Sequence, residues 1–365
     1  MRYRTAPGKL FGLGLTLVLL VMAGCLGDPS LTPASPKPKA TLLTTEAFVG
    51  NAVCAECHPD IARSHGQSYH AQTLSLLSAR DLGARVPPRG NIAQSEFVLH
   101  ETAGVFTVAA PALSDQKVPL DLAVGSGKTG VTYVAFMDDN KMAEFRMSYF
   151  PVKKSWYITP GQEKLAPGSL GKVHPVANGK KCMLCHAVAV PETGGKPQKR
   201  FFGVGCESCH GAGAAHVTAA RSGKFDSGKM ESLGKLPATR LNLLCGKCHG
   251  TRQDVEAAHL PKSVSNRMQT YGLMESKCFQ KSSETLSCLT CHSPHENAKS
   301  ATREPAFYER ACLTCHSAQA PPQKPCPVNP TAKCIGCHMP ARKALEGSAI
   351  PMTMADHNIQ ILRKN

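Results

Sequence analysis

The chain opens on an apolar run, LFGLGLTLVLLVMA (10–23), that no charge interrupts. A membrane-spanning helix needs roughly twenty such residues, so the run fits the core of an export signal better. From 59 to 81, PDIARSHGQSYHAQTLSLLSARD has the spacing of a helix. From 92 to 160 the period shortens towards two, in EFVLHETAGVFTVAA and GVTYVAFMDDNKMAEFRMSYFPVKKSWYIT. The second stretch breaks at Asp138, Asp139, Asn140 and Lys141, which predicts a hairpin turn. A small antiparallel β module over 92–160 follows from that alternation. Beyond 161 no period persists, so short helices and loops are expected.

Cysteine explains why the second half lacks a pattern. Of the 17 cysteines, 14 form seven copies of one motif: CAECH (54–58), CMLCH (182–186), CESCH (206–210), CGKCH (245–249), CLTCH (288–292), CLTCH (312–316) and CIGCH (334–338). Chance at this composition predicts about 0.03 copies of Cys-x-x-Cys-His. Zinc accepts paired cysteines but gives no reason for a histidine after every second one, and a redox CxxC is equally indifferent to it. Covalent haem requires all three positions: two thiols add to the porphyrin vinyls, and the adjacent imidazole reaches the iron. The motifs therefore predict seven haem c groups. Cys54, Cys57, Cys182, Cys185, Cys206, Cys209, Cys245, Cys248, Cys288, Cys291, Cys312, Cys315, Cys334 and Cys337 would carry them. His58, His186, His210, His249, His292, His316 and His338 are the proximal ligands.

The last six motifs fall within residues 182–338, too little chain to wrap six porphyrins separately. The groups must pack against one another. Their flat apolar area would also replace the missing aromatics, only 5% of residues with one Trp.

Ahead of the apolar run stand Arg2, Arg4 and Lys9. Behind it, Met22-Ala23-Gly24-Cys25 resembles the bacterial lipoprotein cleavage box, with Met where Leu is commoner. The expected organisation is a lipoprotein signal peptide (1–24) and a Pro/Ser/Thr-rich tether (25–46) lipidated at Cys25. A first haem segment (47–91), the β module (92–160) and a six-haem domain (161–365) follow. Export and haem c agree, since c-type maturation takes place outside the bacterial cytoplasm. A bacterial membrane, on the periplasmic side or at the cell surface, is the expected location.

The formal charge of +16 invites a nucleic-acid reading, which the cofactors remove. Loss of the leader's three bases leaves +13, and seven haems at roughly −1 to −2 each bring the holoprotein to about +6 or −1. Nucleotide binding is excluded too. GSGKTG (125–130) lacks the leading glycine of a phosphate loop, because Leu122 stands there, and it reads as a turn between strands.

Eight histidines lie outside the motifs. His295 follows His292 by three residues, one of them Pro294. A chain already held on one face of its own porphyrin cannot reach the other face in three residues. His295 can ligate only a neighbouring iron, and His216 follows His210 under the same logic. His174 and His259 are weaker distal candidates. His65 is expected at a helix surface or haem edge, and His100 within the β module. Dropping those two leaves six histidines for seven irons, with Met268 and Met274 as further donors. Cys278 and Cys326 are expected as buried thiols, with a disulfide between them as the alternative.

The chain resembles the cytochrome c-554-type multihaem cytochromes from about Phe48 to Leu362. The resemblance rests on FVGNAVCAECHPD with SYHA behind it, VGSGKTGVTYVAFMDDNKMAEFRMSYF, WYITPG, GVGCESCHGAGAAH, SKCFQKS, LSCLTCHSPH, CIGCHMP and TMADHNI. It departs at His65, where related chains tend to carry Trp. The resemblance implies stacked haem pairs, His–Fe–His ligation, a mostly α and irregular fold with sparse secondary structure, and electron transfer. It adds His70 (SYHA) and His357 (DHNI) to the distal ligands and supports His216 and His295. The expected function is a relay of single electrons to and from redox proteins, with no catalytic residues. The alternative is an oxidoreductase acting on a small nitrogen or sulfur compound at one five-coordinate haem.

Overall fold

Ten strands lie between the first and second motifs, and helices too short to be stable alone carry the motifs themselves. The computed structural model describes residues 45–114, 116–225, 230–260, 265–297, 305–317, 326–344 and 349–360. All belong to one unit, Leu43–Asn365. The leader, Cys25 and all but the last two residues of the tether lie outside the described residues.

The strands are β1 (Leu74–Leu76), β2 (Gly90–Asn91), β3 (Val98–Thr102), β4 (Val105–Ala109), β5 (Val118–Pro119), β6 (Leu122–Val124), β7 (Val131–Phe136), β8 (Met142–Phe150), β9 (Ser155–Ile158) and β10 (Gly171–His174). A late pair, β11 (Ala341–Lys343) and β12 (Thr353–Ala355), stands apart. One antiparallel sheet runs β1-β6-β7-β8-β10 with β9 also on β8, and a smaller one runs β2-β3-β4-β5. The sheets thus begin earlier and end later than the alternating residues 92–160. β1 and β10 are too short to show a period of their own, and pairing with β6 and β8 recruits them. The helical spacing of 59–81 yields a helix over Pro59–Gly66 and a single turn at Ala79–Leu82, because the chain between them turns into β1.

The β7–β8 hairpin turns at Asp138–Lys141, with Asn140 left-handed at φ 60°. GSGKTG connects β6 to β7, and Gly125 donates its N–H to the Thr73 carbonyl at 2.7 Å.

β8 is buried along nearly its whole length, since both faces of its sheet are covered. On one side Leu99, Phe106, Tyr133, Phe145 and Trp156 form the larger core, between the two sheets. On the other, Leu74, Leu122, Val134 and Met142 pack against Met183, which lies inside the CMLCH motif. Sheet and second motif therefore share a core. The large aromatics concentrate in the β module; after Gly203 the only buried aromatic among the described residues is Phe279. Little side-chain mass fills the second half, which surrounds a cavity instead.

A candidate multihaem site

The cavity is continuous, with a volume of about 4230 Å³. Pockets for one drug-sized ligand run about 300–1,000 Å³, so this space is several times larger. All seven motif histidines line it, as do 13 of the 14 motif cysteines, Cys182 being the exception. Each motif starts on a helical turn, which puts the two cysteines of a pair, three residues apart, on one face.

Imidazoles meet across this space in a repeated way. His210 faces His295 with ring centroids 6.3 Å apart and planes within 6°. His249 faces His70 at 6.0 Å, and His292 faces His357 at 6.3 Å. With a metal–nitrogen bond of about 2 Å and about 1.1 Å from nitrogen to ring centre, two imidazoles that held one metal between them would have ring centres about 6.2 Å apart. In each of the three pairs, one ring comes from a Cys-x-x-Cys-His motif and the other from outside it.

Hydrogen bonds fix which nitrogen each ring presents. Nδ1 of His186 is 3.2 Å from the Thr73 carbonyl, that of His338 is 2.6 Å from the Gln360 carbonyl, and that of His357 is 2.9 Å from the Ala355 carbonyl. Nδ1 of His249 lies 3.1 Å from Gln269 Oε1. Such a bond commits Nδ1 as donor and leaves Nε2 as a lone pair for metal. Burial lowers the pKa of His70, His186, His210 and His357, with neighbouring histidines adding to the effect at His70 and His210. All four are thereby held neutral, the form that binds iron. Ligand spacing, thiol placement and tautomer all fit a covalently attached haem.

The motifs also touch each other. Cysteine sulfurs of different motifs stand close together in four pairs: Cys54 with Cys206, Cys185 with Cys248, Cys245 with Cys288, and Cys312 with Cys334. Helix Asn51–Ala55 packs on Cys206–His210, Ala238–His249 on Cys288–Cys291, and Pro305–His316 on both Cys288–Cys291 and Cys334–His338. Groups held at these motifs are neighbours.

The other predicted residues divide clearly. His216 lines the cavity from helix Ala214–Arg221. His100 lies on β3 and His259 is exposed in a left-handed turn; neither reaches the cavity. His174 is buried on β10 with its Nε2 3.2 Å from Glu144 Oε2, and it too lies outside the lining. His65 is not at the surface. It is buried, lines the cavity and meets His295 edge-on at 6.4 Å. Met268 packs over Gly250, and neither it nor Met274 lines the cavity. Cys278 and Cys326 are free thiols on the cavity wall, and Cys326 Sγ accepts from the Asn329 N–H at 3.5 Å.

Sequence reading missed a buried carboxylate within the third motif. Glu207 accepts N–H bonds from Val49 at 2.9 Å, Gly50 at 2.8 Å and Gly213 at 2.8 Å. The signal was thin: one acid between paired cysteines.

Known proteins point the same way. Residues 155–211 match the family model described as cytochrome c554 and c-prime. The outer cell wall cytochrome OcwA superposes with a TM-score of 0.54 at 16% identity, covering 87% of this chain and 80% of that one. Over residues 155–211 the chain is similar to that family, and it shares the fold of OcwA. A second cytochrome, the undecahaem protein from the S-layer of Carboxydothermus ferrireducens, aligns at 15% identity and a TM-score of 0.42, covering 77% of this chain and 44% of its own. No curated protein matches this chain.

Proposed function

We propose that this chain carries seven covalent haems and relays single electrons along them outside the cytoplasm. The observation that carries the reading is the set of three imidazole pairs at 6.0–6.3 Å, each joining a motif histidine to one outside the motifs. In the proposed ligand set His295 completes the site of His210, His70 that of His249, and His357 that of His292. His216 goes to His58, because Glu207 ties the start of the first motif's helix to the start of the helix bearing His216. His174 and His259 are left out of the set. Haem iron supplies a one-electron couple, and two imidazoles hold it low-spin with little change of geometry between oxidation states.

Thiol contacts and helix packing support an order of neighbours. The first motif adjoins the third, the second adjoins the fourth, and the fourth, fifth, sixth and seventh follow in series. Cys209 stands near Cys245, which joins the third motif to the fourth. The relay on this reading is a line with the second motif as a side branch. Export and a lipid anchor at Cys25 belong to the same proposal, and the similar structure OcwA is an outer cell wall cytochrome. The partners are redox proteins.

Two measurements test it. Mass spectrometry of protein matured in a bacterial periplasm should find seven haem additions. Electron paramagnetic resonance of the ferric form should be dominated by low-spin signals. Fewer additions would sink the heptahaem relay. A high-spin signal near one haem equivalent that responds to nitrite or cyanide would favour the reductase alternative.

A further inference from the structure

Two asparagines do the same unusual thing in two places. Asn51 stands three residues before Cys54, and Asn242 three before Cys245. Three residues is close to one helical turn, so each side chain projects on the face that carries the thiol. Neither bonds within its own motif. Asn51 Oδ1 accepts from the backbone N–H of Cys206 at 2.9 Å, and Asn242 Oδ1 accepts from that of Cys288 at 2.9 Å. Each acceptor thus holds the first cysteine of a different motif.

The donors are suited to this. Cys206 and Cys288 are the first residues of their helices, where an N–H has no acceptor within the helix. Asn242 is fully buried and its Nδ2 donates to the Leu286 carbonyl at 3.2 Å, so both ends of the amide are used. Beside Asn51, a Cβ on Gly205 would come within 2.4 Å of Oδ1, so only glycine before Cys206 admits the contact. The bonded motifs are also those whose thiols meet, Cys54 with Cys206 and Cys245 with Cys288. The other two adjoining pairs differ: Gly179 holds the equivalent position before Cys182, and Glu309 holds it before Cys312 and stands near Cys334.

We propose that Asn51 and Asn242 are positioning residues that join the motifs into two-haem modules, the first with the third and the fourth with the fifth. A haem is bonded to its cysteines, so a clamp on the first cysteine fixes where its attachment point stands relative to the other motif. The amide thereby sets how strongly the two bound groups couple. The inference rests on the haem reading above and adds residues that would touch neither iron nor thioether sulfur.

The test uses the full-length holoprotein, with covalent haem counted by mass spectrometry before any spectrum is compared. Asn51→Val removes the acceptor at similar size, and Asn51→Asp keeps it. Spin–spin interaction between ferric haems, read by parallel-mode and conventional electron paramagnetic resonance, reports each pair. Asn51→Val should keep seven haems yet lose the interaction of the first and third, while the fourth–fifth pair, with Asn242 intact, stays as in wild type. Asn51→Asp should restore the signal. Unchanged interaction in a fully loaded Asn51→Val protein overturns the proposal, as does an Asn51→Asp protein that behaves like Asn51→Val. If Asn51→Val does not mature, Asn51→Gln moves the acceptor outward by one methylene. It should shift the first pair's signal alone, and no shift overturns the proposal. A wild-type count short of these motifs would instead remove the haem reading, and this inference with it.

Discussion

Glu207 joins three parts of the site with two oxygens. Its carboxylate is buried and receives N–H groups from the entry to the first motif's helix and from Gly213, ahead of His216. Gly50 and Gly213 are buried, and leaving their donors unsatisfied is the costly side of the exchange. Glu207→Ala should lower stability by about 2–4 kcal/mol in denaturant titration of the holoprotein, with Glu207→Gln losing less because one oxygen remains. His357 offers a cleaner functional readout. It faces His292 at 6.3 Å with its Nδ1 tied to Ala355. His357→Ala should keep the full haem count while one haem equivalent turns high-spin, measured by electron paramagnetic resonance; a wholly low-spin spectrum would remove His357 from the ligand set. The motif residues were legible in the sequence because thioether chemistry dictates their spacing. Distal ligands are chosen through space, so sequence offered His174 and His259 alongside His70 and His357 and could not rank them by burial. His65 shows the same limit: its helix has an exposed face and the ring lies on the other.

At the scale of elements, the β module is more than an insertion hung between two motifs. β8 has a core on each side, and the second of these includes Met183 between Cys182 and Cys185. The sheet therefore sets the height at which the second motif sits. Met183→Ala removes a buried side chain against Leu122, Val134 and Met142 and should cost about 3 kcal/mol. Its diagnostic effect should be local: haem loading falls at Cys182 and Cys185 in peptide mapping, while the first motif loads normally. Equal loss at both motifs would mean that the sheet supports the whole fold instead. Alternation revealed the hairpins here, since strands longer than about four residues carry a readable period. It gave no warning of β1 or β10, whose order comes from their partners, nor of the sheet's second face, which is covered by a motif helix far along the chain.

For the whole molecule, the motif contacts make the members of the proposed relay non-equivalent. The fourth motif adjoins the second through Cys248 and the fifth through Cys245, and Cys209 of the third stands near Cys245. The second touches only the fourth through its thiols. Removing one haem from either place leaves six, yet the two losses should differ in kind. A Cys182→Ala, Cys185→Ala protein lacks the branch, and electrons entering at one end still reach the other, so its reduction followed by stopped-flow absorbance should stay close to the wild-type rate. A Cys245→Ala, Cys248→Ala protein lacks the junction, and the line falls into the first and third motifs, the second alone, and the fifth to seventh. Its reduction should split into phases, with a slow fraction that grows with protein dilution because isolated segments can be reached only by collision. The order of motifs along the chain would predict the reverse emphasis, since by sequence the second haem bridges the first to all the rest. A split into phases in the Cys182→Ala, Cys185→Ala protein would put the second haem within the line, as in the sequential order, and overturn the branched one.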